Sequence, residues 1–172
     1  MTGSGAVPSA YLITFACYGE WLPGQGGAVD RDHNAFGSPM PEADVLKEAR
    51  SGRRMTQECY RLDAVRRRVV LTAIHEVCSY RAWTLLAAHV RAAHVHVVVE
   101  GDRGPEFVMN TLKSCASRAL NRMALDDAGR RRWARHGSTR HLWTNKAVSA
   151  AIHYVVCEQG EAMAVFEMEA AR

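Results

Sequence analysis

His94-Val95-His96-Val97-Val98-Val99-Glu100 decides how this chain is read. Valines crowd the run, and β-branched side chains pack well on a pleated surface, so it reads as a strand. On a strand, positions two apart point to the same face. His94 and His96 then stand side by side, with Val95 and Val97 buried behind them. Two neutral imidazoles aimed at one point are two ligands for a divalent metal. The same pattern fits a pair of edge-strand histidines facing water, and the triplet alone does not choose between the two.

Working outward, Trp83 to Val90 reads as a strand, and Arg91-Ala92-Ala93 is a tight connection. The two strands should pair as an antiparallel hairpin. Far upstream, Tyr11-Leu12-Ile13-Thr14-Phe15-Ala16-Cys17-Tyr18 is a first strand, largely buried. Leu62 to Arg81 carries Leu62, Val65, Val69, Ile74 and Val77 near helical spacing, with Asp63 in its first turn. After the turn Gly101 to Pro105, Pro105 opens a second helix. Phe107, Val108, Leu112, Cys115, Ala119 and Met123 form its apolar face. Lys113, Arg118 and Arg122 line another. Asp126 to Gly137 is loop-like, and Arg140 to Trp143 a short strand. A last helix runs from about Lys146 to Gln159, with Gly160 as C-cap. Met163, Phe166 and Met168 suggest a short extra element in the tail. Strands interleaved with helices around a central hairpin predict an α+β fold. The simplest version is a ferredoxin-like antiparallel sheet with helices packed on one face.

The 172 residues suit one domain, 1–172, with a long loop or insertion at about 19–60. A connection of that length is uncommon unless it is a lid or a binding loop. Pro39 and Pro41 break it, and a short helix is possible near Ala43 to Arg50. The net charge of +4 is carried mostly by arginine, which suits bidentate contact with phosphate. Cys17, Cys59, Cys78, Cys115 and Cys157 are odd in number and form no CxxC pair. That argues against a disulfide framework or a structural zinc site and fits the cytoplasm. No apolar run reaches membrane-spanning length, and no signal pattern opens the chain.

In the last helix, Val148, Ile152, Val155 and Val156 define the buried side. Tyr154 lies off that stripe, where a helix packed on the sheet can aim it at the histidine pair. Taken by itself, it reads as an amphipathic tyrosine of the surface or core. Glu158, four residues on, shares its face. Gln159 is rotated away by more than a quarter turn, unless the helix distorts near Gly160. Either can offer an oxygen to a metal held by His94 and His96. His33, His75, His89, His136 and His141 have no ligand-like spacing and read as structural or surface residues.

His94-Val95-His96, followed about 60 residues later by a helix-borne tyrosine and a Gln or Glu, resembles the HUH single-tyrosine transposases. These serve single-strand insertion sequences and include the REP-associated tyrosine transposases. Tyr11 to Phe15 is similar to the first strand of that family. Tyr18-Gly19-Glu20-Trp21-Leu22-Pro23-Gly24 resembles a loop of one clade. Leu112-Lys113-Ser114 resembles the start of its basic middle helix, and Arg140-His141-Leu142-Trp143 its late strand. Arg91-Ala92-Ala93 departs from the Met-Pro-Asn that often precedes the histidine strand. The family places a Gln, Asn or similar ligand one turn after the tyrosine. Here that position is Glu158 and the glutamine comes one later, so both remain candidates.

The resemblance implies an enzyme that cleaves and rejoins single-stranded DNA at hairpin-bearing elements. Tyr154 would be the nucleophile that forms a 5′-phosphotyrosine, assisted by Mg²⁺ or Mn²⁺ on His94, His96 and Glu158 or Gln159. A free phenol has a pKa of about 10, so its deprotonation needs assistance. No base is assigned, because His153 points about 100° away on an ideal helix. Basic side chains such as Lys113 and Arg118 would follow the DNA backbone, Lys113 near the scissile phosphate or simply on a helix surface. Trp21 or Trp143 would stack exposed bases. Relatives occur as dimers, so a homodimer is possible. A replication-initiator or relaxase-like nickase shares this chemistry but usually carries further domains. A non-catalytic ferredoxin-like nucleic-acid-binding protein would need alternating exposed aromatics, which His94 to Glu100 lacks.

Overall fold

The computed structural model of the chain describes residues 10–20, 43–53 and 55–169. The elements follow the order β1 (Ala10–Cys17), α1 (Val45–Arg53), α2 (Ala64–Arg81), β2 (Thr84–Val90) and β3 (His94–Glu100). They continue with α3 (Pro105–Arg122), β4 (Trp133–Leu142), α4 (Asn145–Cys157) and β5 (Ala164–Glu167). The strands form one sheet in the order β4-β1-β3-β2-β5, and every neighbouring pair is antiparallel. Without α1, α4 and β5 this is the ferredoxin-like arrangement of the α+β class. The expected β2–β3 hairpin is present, and the tail supplies β5 as an edge strand.

The helices cover both faces of the sheet rather than one, and β3 shows why. Val95, Val97 and Val99 are fully buried on one face, while Val98 and His96 are buried on the other. A strand shielded on both faces needs a layer on each. The first layer is α2 and α3, which set Val70, Ile74, Val77, Leu112 and Leu120 against Ile13 and Phe15. The second is α4, which sets Ala151 and Val155 against Ala10, Leu86, Val98 and Leu142. Membrane-spanning helices are absent among the described residues, none being long and apolar enough.

β4 begins at Trp133, inside the stretch expected to be loop. It is an edge strand with much of its surface half-exposed, so it needs little apolar alternation to form. It pairs with β1 from Ala10↔Leu142 to Cys17↔Trp133, with a register shift near Phe15. At Gly137 a Cβ would lie 2.5 Å from both the Thr14 carbonyl oxygen and Met109 Sδ. Only glycine lets β4 lie this close to β1 and α3.

The helix starts are set by local chemistry. Asp63 is the N-cap of α2, not a first-turn residue, and its carboxylate accepts the Arg66 N–H at 2.8 Å. Thr144 caps α4 by accepting the Ala147 N–H at 3.2 Å. α4 ends at Cys157, two residues before Gln159, and Gly160 follows at φ +77°. That left-handed backbone favours glycine and turns the chain toward β5.

Candidate functional site

Strand register builds the site. Thr14 on β1 pairs with His96, and His96 pairs with His89 on β2. Ala16 pairs with His94. The Arg91 N–H donates to the His94 carbonyl at 2.9 Å and closes the hairpin, so Arg91 stands opposite His94. Two rows therefore cross the sheet: Thr14–His96–His89 and Ala16–His94–Arg91. Side-chain alternation turns both toward α4, because Val90, Val95 and Val97 take the opposite face.

α4 is seated by Ala151 and Val155. Tyr154, one residue before Val155, lies about 100° around the helix from it. Its ring is 5.8 Å from the His96 ring, which is 4.8 Å from the His94 ring. Tyr154 keeps 40% of its surface exposed, so a large substrate can reach the phenol. Three aromatic groups from two distant parts of the chain thus meet at one place.

His96 is held from behind. Its Nδ1 lies 2.8 Å from Thr14 Oγ1. Its Nε2 is buried and makes no hydrogen bond among the described residues. Leaving such an atom without a partner costs about 1–3 kcal/mol. With Nδ1–H donating to the hydroxyl, Nε2 carries a lone pair aimed at the site, the arrangement found behind metal-bound histidines. Burial pushes the His96 imidazole down to about 3, with His94 adding to the shift. Burial, then the Arg91 charge, pushes His94 down to about 4. Both rings are therefore neutral at pH 7, the form in which an imidazole donates a lone pair.

The helix end separates the two candidate oxygen donors. Glu158 is the C-cap, where its N–H donates to the Tyr154 carbonyl at 3.2 Å. Its carboxylate lies 2.9 Å from His153 Nδ1, with both side chains more than half exposed. That contact faces solvent. Gln159 folds back, and its Nε2–H donates to the same Tyr154 carbonyl at 3.1 Å. Its side chain lies near enough to His96 to favour the charged imidazole, although it makes no hydrogen bond to the buried Nε2. Of the two, only Gln159 bears on His96, while the Glu158 carboxylate is engaged with His153. Extrapolating an ideal helix favours Glu158, but α4 has already ended.

No cluster of three His, Cys, Asp or Glu side chains is placed to hold a metal among the described residues. The groups that could hold a cation are the two neutral imidazoles, with Gln159 close by. Two imidazoles, one with an Nε2 that has no partner among the described residues, are a donor pair that a divalent cation would accept.

The basic and aromatic candidates lie elsewhere. Lys113 is buried under β4 on the α2/α3 side, and its Nζ donates to the Ala134 and His136 carbonyls at 3.0 and 3.1 Å. Burial pushes its ammonium down to about 8. It holds the edge strand and is not placed to meet a phosphate at the histidines. Arg118 is on α3, in the same layer, with its Nη2 donating to Cys115 Sγ at 3.0 Å. Trp21 lies outside the described residues. Trp143 is half-exposed beyond β4 and stacks on His141 at 5.5 Å and 12°.

Sequence reading missed Thr14, His89 and Arg91. His89 is fully buried, with Nδ1 3.0 Å from the Val155 carbonyl and Nε2 accepting the Met163 N–H at 3.2 Å. It ties the sheet centre to the tyrosine helix and to the segment before β5. Hairpin symmetry held the signal for two of them. A turn at Ala92-Ala93 sets Arg91 opposite His94 and His89 opposite His96. Thr14 showed only as the polar residue inside an apolar first strand.

Among solved structures, the chain is similar to a REP-associated tyrosine transposase bound to a REP hairpin. The TM-score is 0.49 and the identity 11%, over 90% of this chain and 68% of that one. No protein family and no curated protein matches the sequence.

Proposed function

We propose that the protein is a metal-dependent single-stranded DNA endonuclease and transposase of the single-tyrosine HUH type. Convergence of Tyr154 on the paired, neutral His94 and His96 carries this reading. His94, His96 and the Gln159 amide oxygen are the groups that would hold Mg²⁺ or Mn²⁺. A cation bound there supplies positive charge for the phosphate oxygens as negative charge builds in the transition state.

The chain's own residues account for the rest. Thr14 fixes the His96 tautomer and ring plane. α4, seated by Val155 and tied down by His89, holds the Tyr154 phenol beside the histidines. The phenolate oxygen attacks phosphorus in line; the Tyr–O–P bond forms as the P–O3′ bond breaks. The phenolic proton leaves to solvent, and the departing 3′-oxygen takes up a proton to become a hydroxyl. The product is a 5′-phosphotyrosine. It keeps the phosphodiester bond energy, so another strand's 3′-hydroxyl can displace Tyr154 without ATP. A flexible, unpaired strand suits the half-exposed phenol, and a foldback hairpin beside the cut is the proposed substrate.

The test is incubation of an end-labelled hairpin carrying single-stranded flanks with the protein and Mn²⁺. A covalent protein–DNA adduct that resists denaturation is expected from the wild type. None is expected from Tyr154→Phe or His94→Ala. An adduct that persists in Tyr154→Phe would remove the tyrosine from the reaction.

A further inference from the structure

We propose that Arg91 binds the scissile phosphate at the histidine pair, a role that rests on the single-tyrosine reading above. Arg91 closes the β2–β3 hairpin directly opposite His94, on the face that α4 covers. Its Nη1–H donates to the Glu161 carbonyl at 3.0 Å. That contact anchors the guanidinium two residues beyond Gln159, between the hairpin and the end of the tyrosine helix. Gly160 passes beside it: a Cβ there would lie 3.8 Å from Arg91 Nη2, in ordinary van der Waals contact. Among the described residues, the Glu161 carbonyl is the sole hydrogen-bond partner of this side chain and no carboxylate neutralises it.

A cation in this place needs an explanation. Strand register sets it beside His94, on the face that also carries His96 and His89. Its charge opposes a divalent cation there. An arriving phosphodiester reverses the balance, because its two non-bridging oxygens accept from a planar fork of N–H donors. Arg91 then holds the phosphate against the phenol and adds charge stabilisation as the pentacoordinate phosphorus forms. Metal and DNA binding become coupled: each favours the other more strongly with Arg91 than without it.

The experiment compares Arg91→Gln and Arg91→Lys with the parent. Glutamine keeps an uncharged N–H donor on a shorter side chain. Binding of a fluorescent single-stranded oligonucleotide is measured in the non-cleaving Tyr154→Phe background at several salt concentrations. Arg91→Gln should bind about tenfold more weakly, with a salt slope shallower by roughly 0.7, the share of one phosphate contact on a single strand. Mn²⁺ affinity without DNA should rise in the same variant, an opposite sign that a purely structural latch would not produce. In the cleaving protein, Arg91→Gln should slow adduct formation by about 10²–10³, the usual loss for one preorganised donor. Arg91→Lys should restore the salt slope but not the rate. Unchanged affinity and slope in Arg91→Gln would overturn the assignment. If the parent forms no adduct while Arg91→Gln still loses affinity and slope, the phosphate contact stands and the cleavage reading falls.

Discussion

The two faces of β3 differ by one residue of register and serve opposite ends. Toward α2 and α3 it presents Val95, Val97 and Val99, sealed in an apolar core. Toward α4 it presents His94, His96 and Val98. Polar groups on the first side are satisfied: even the buried Lys113 has two carbonyl partners. On the second side, one buried nitrogen of His96 has none among the described residues. A core face gains stability from complete pairing and close packing. The α4 face forgoes some of that stability by burying a lone pair. Changes on the two faces should therefore separate stability from chemistry.

The largest expected effect is on the core side. Leu112→Ala should lower the unfolding free energy by about 2–5 kcal/mol in urea titration, the range for a truncated buried leucine. The fraction that remains folded should keep its Mn²⁺ affinity. A loss of Mn²⁺ affinity in the folded fraction would mean that the two faces are not independent.

On the reactive side, Thr14→Val keeps the shape and removes the hydroxyl behind His96. Mn²⁺ affinity, followed by electron paramagnetic resonance, should fall about 10–100-fold, as for other lost partners of metal-bound histidines. The melting temperature should move far less than in Leu112→Ala. Equal affinity in Thr14→Val would show that Thr14 does not set the imidazole.

The pH dependence of stability sharpens the contrast. Unfolded histidine titrates near pH 6.5, whereas folded His94 and His96 sit at about 4 and about 3. As pH falls below about 6.5 the unfolded chain takes up protons first, so the metal-free protein should lose stability toward pH 4. Above pH 6.5 both states are neutral and this contribution vanishes. His96→Leu should flatten the acid-side fall in urea midpoints, and an unchanged slope would contradict the burial of a neutral ring.

The smallest effect is expected at Glu158. Its carboxylate faces solvent with His153, so Glu158→Ala should leave adduct formation near the wild-type rate. Gln159→Ala should lose most of it. The reverse outcome would give the third donor to Glu158.

Much of this was legible beforehand, because short-range rules govern it. The valine run marks β3, the tight Arg91-Ala92-Ala93 connection marks the hairpin, and period-2 geometry pairs the two histidines. The edge strand β4 was harder to read, since half-exposed backbone needs no apolar pattern and its start at Trp133 depends on the β1 ladder. Lys113 looked like a surface cation on a helix, and only the packing of β4 above it shows otherwise.

Residue order by itself determined the strand that carries His94 and His96, the helix that carries Tyr154, and an α+β plan to join them. Alternation and helical period are local properties, printed in a few consecutive residues. Tertiary structure decided which face α4 covers, that α4 ends before Glu158 so that Gln159 folds back on the Tyr154 carbonyl, and that Thr14, His89 and Arg91 line the same face. Those outcomes depend on strand register and on groups tens of residues apart competing for the same hydrogen bonds, which no local window contains.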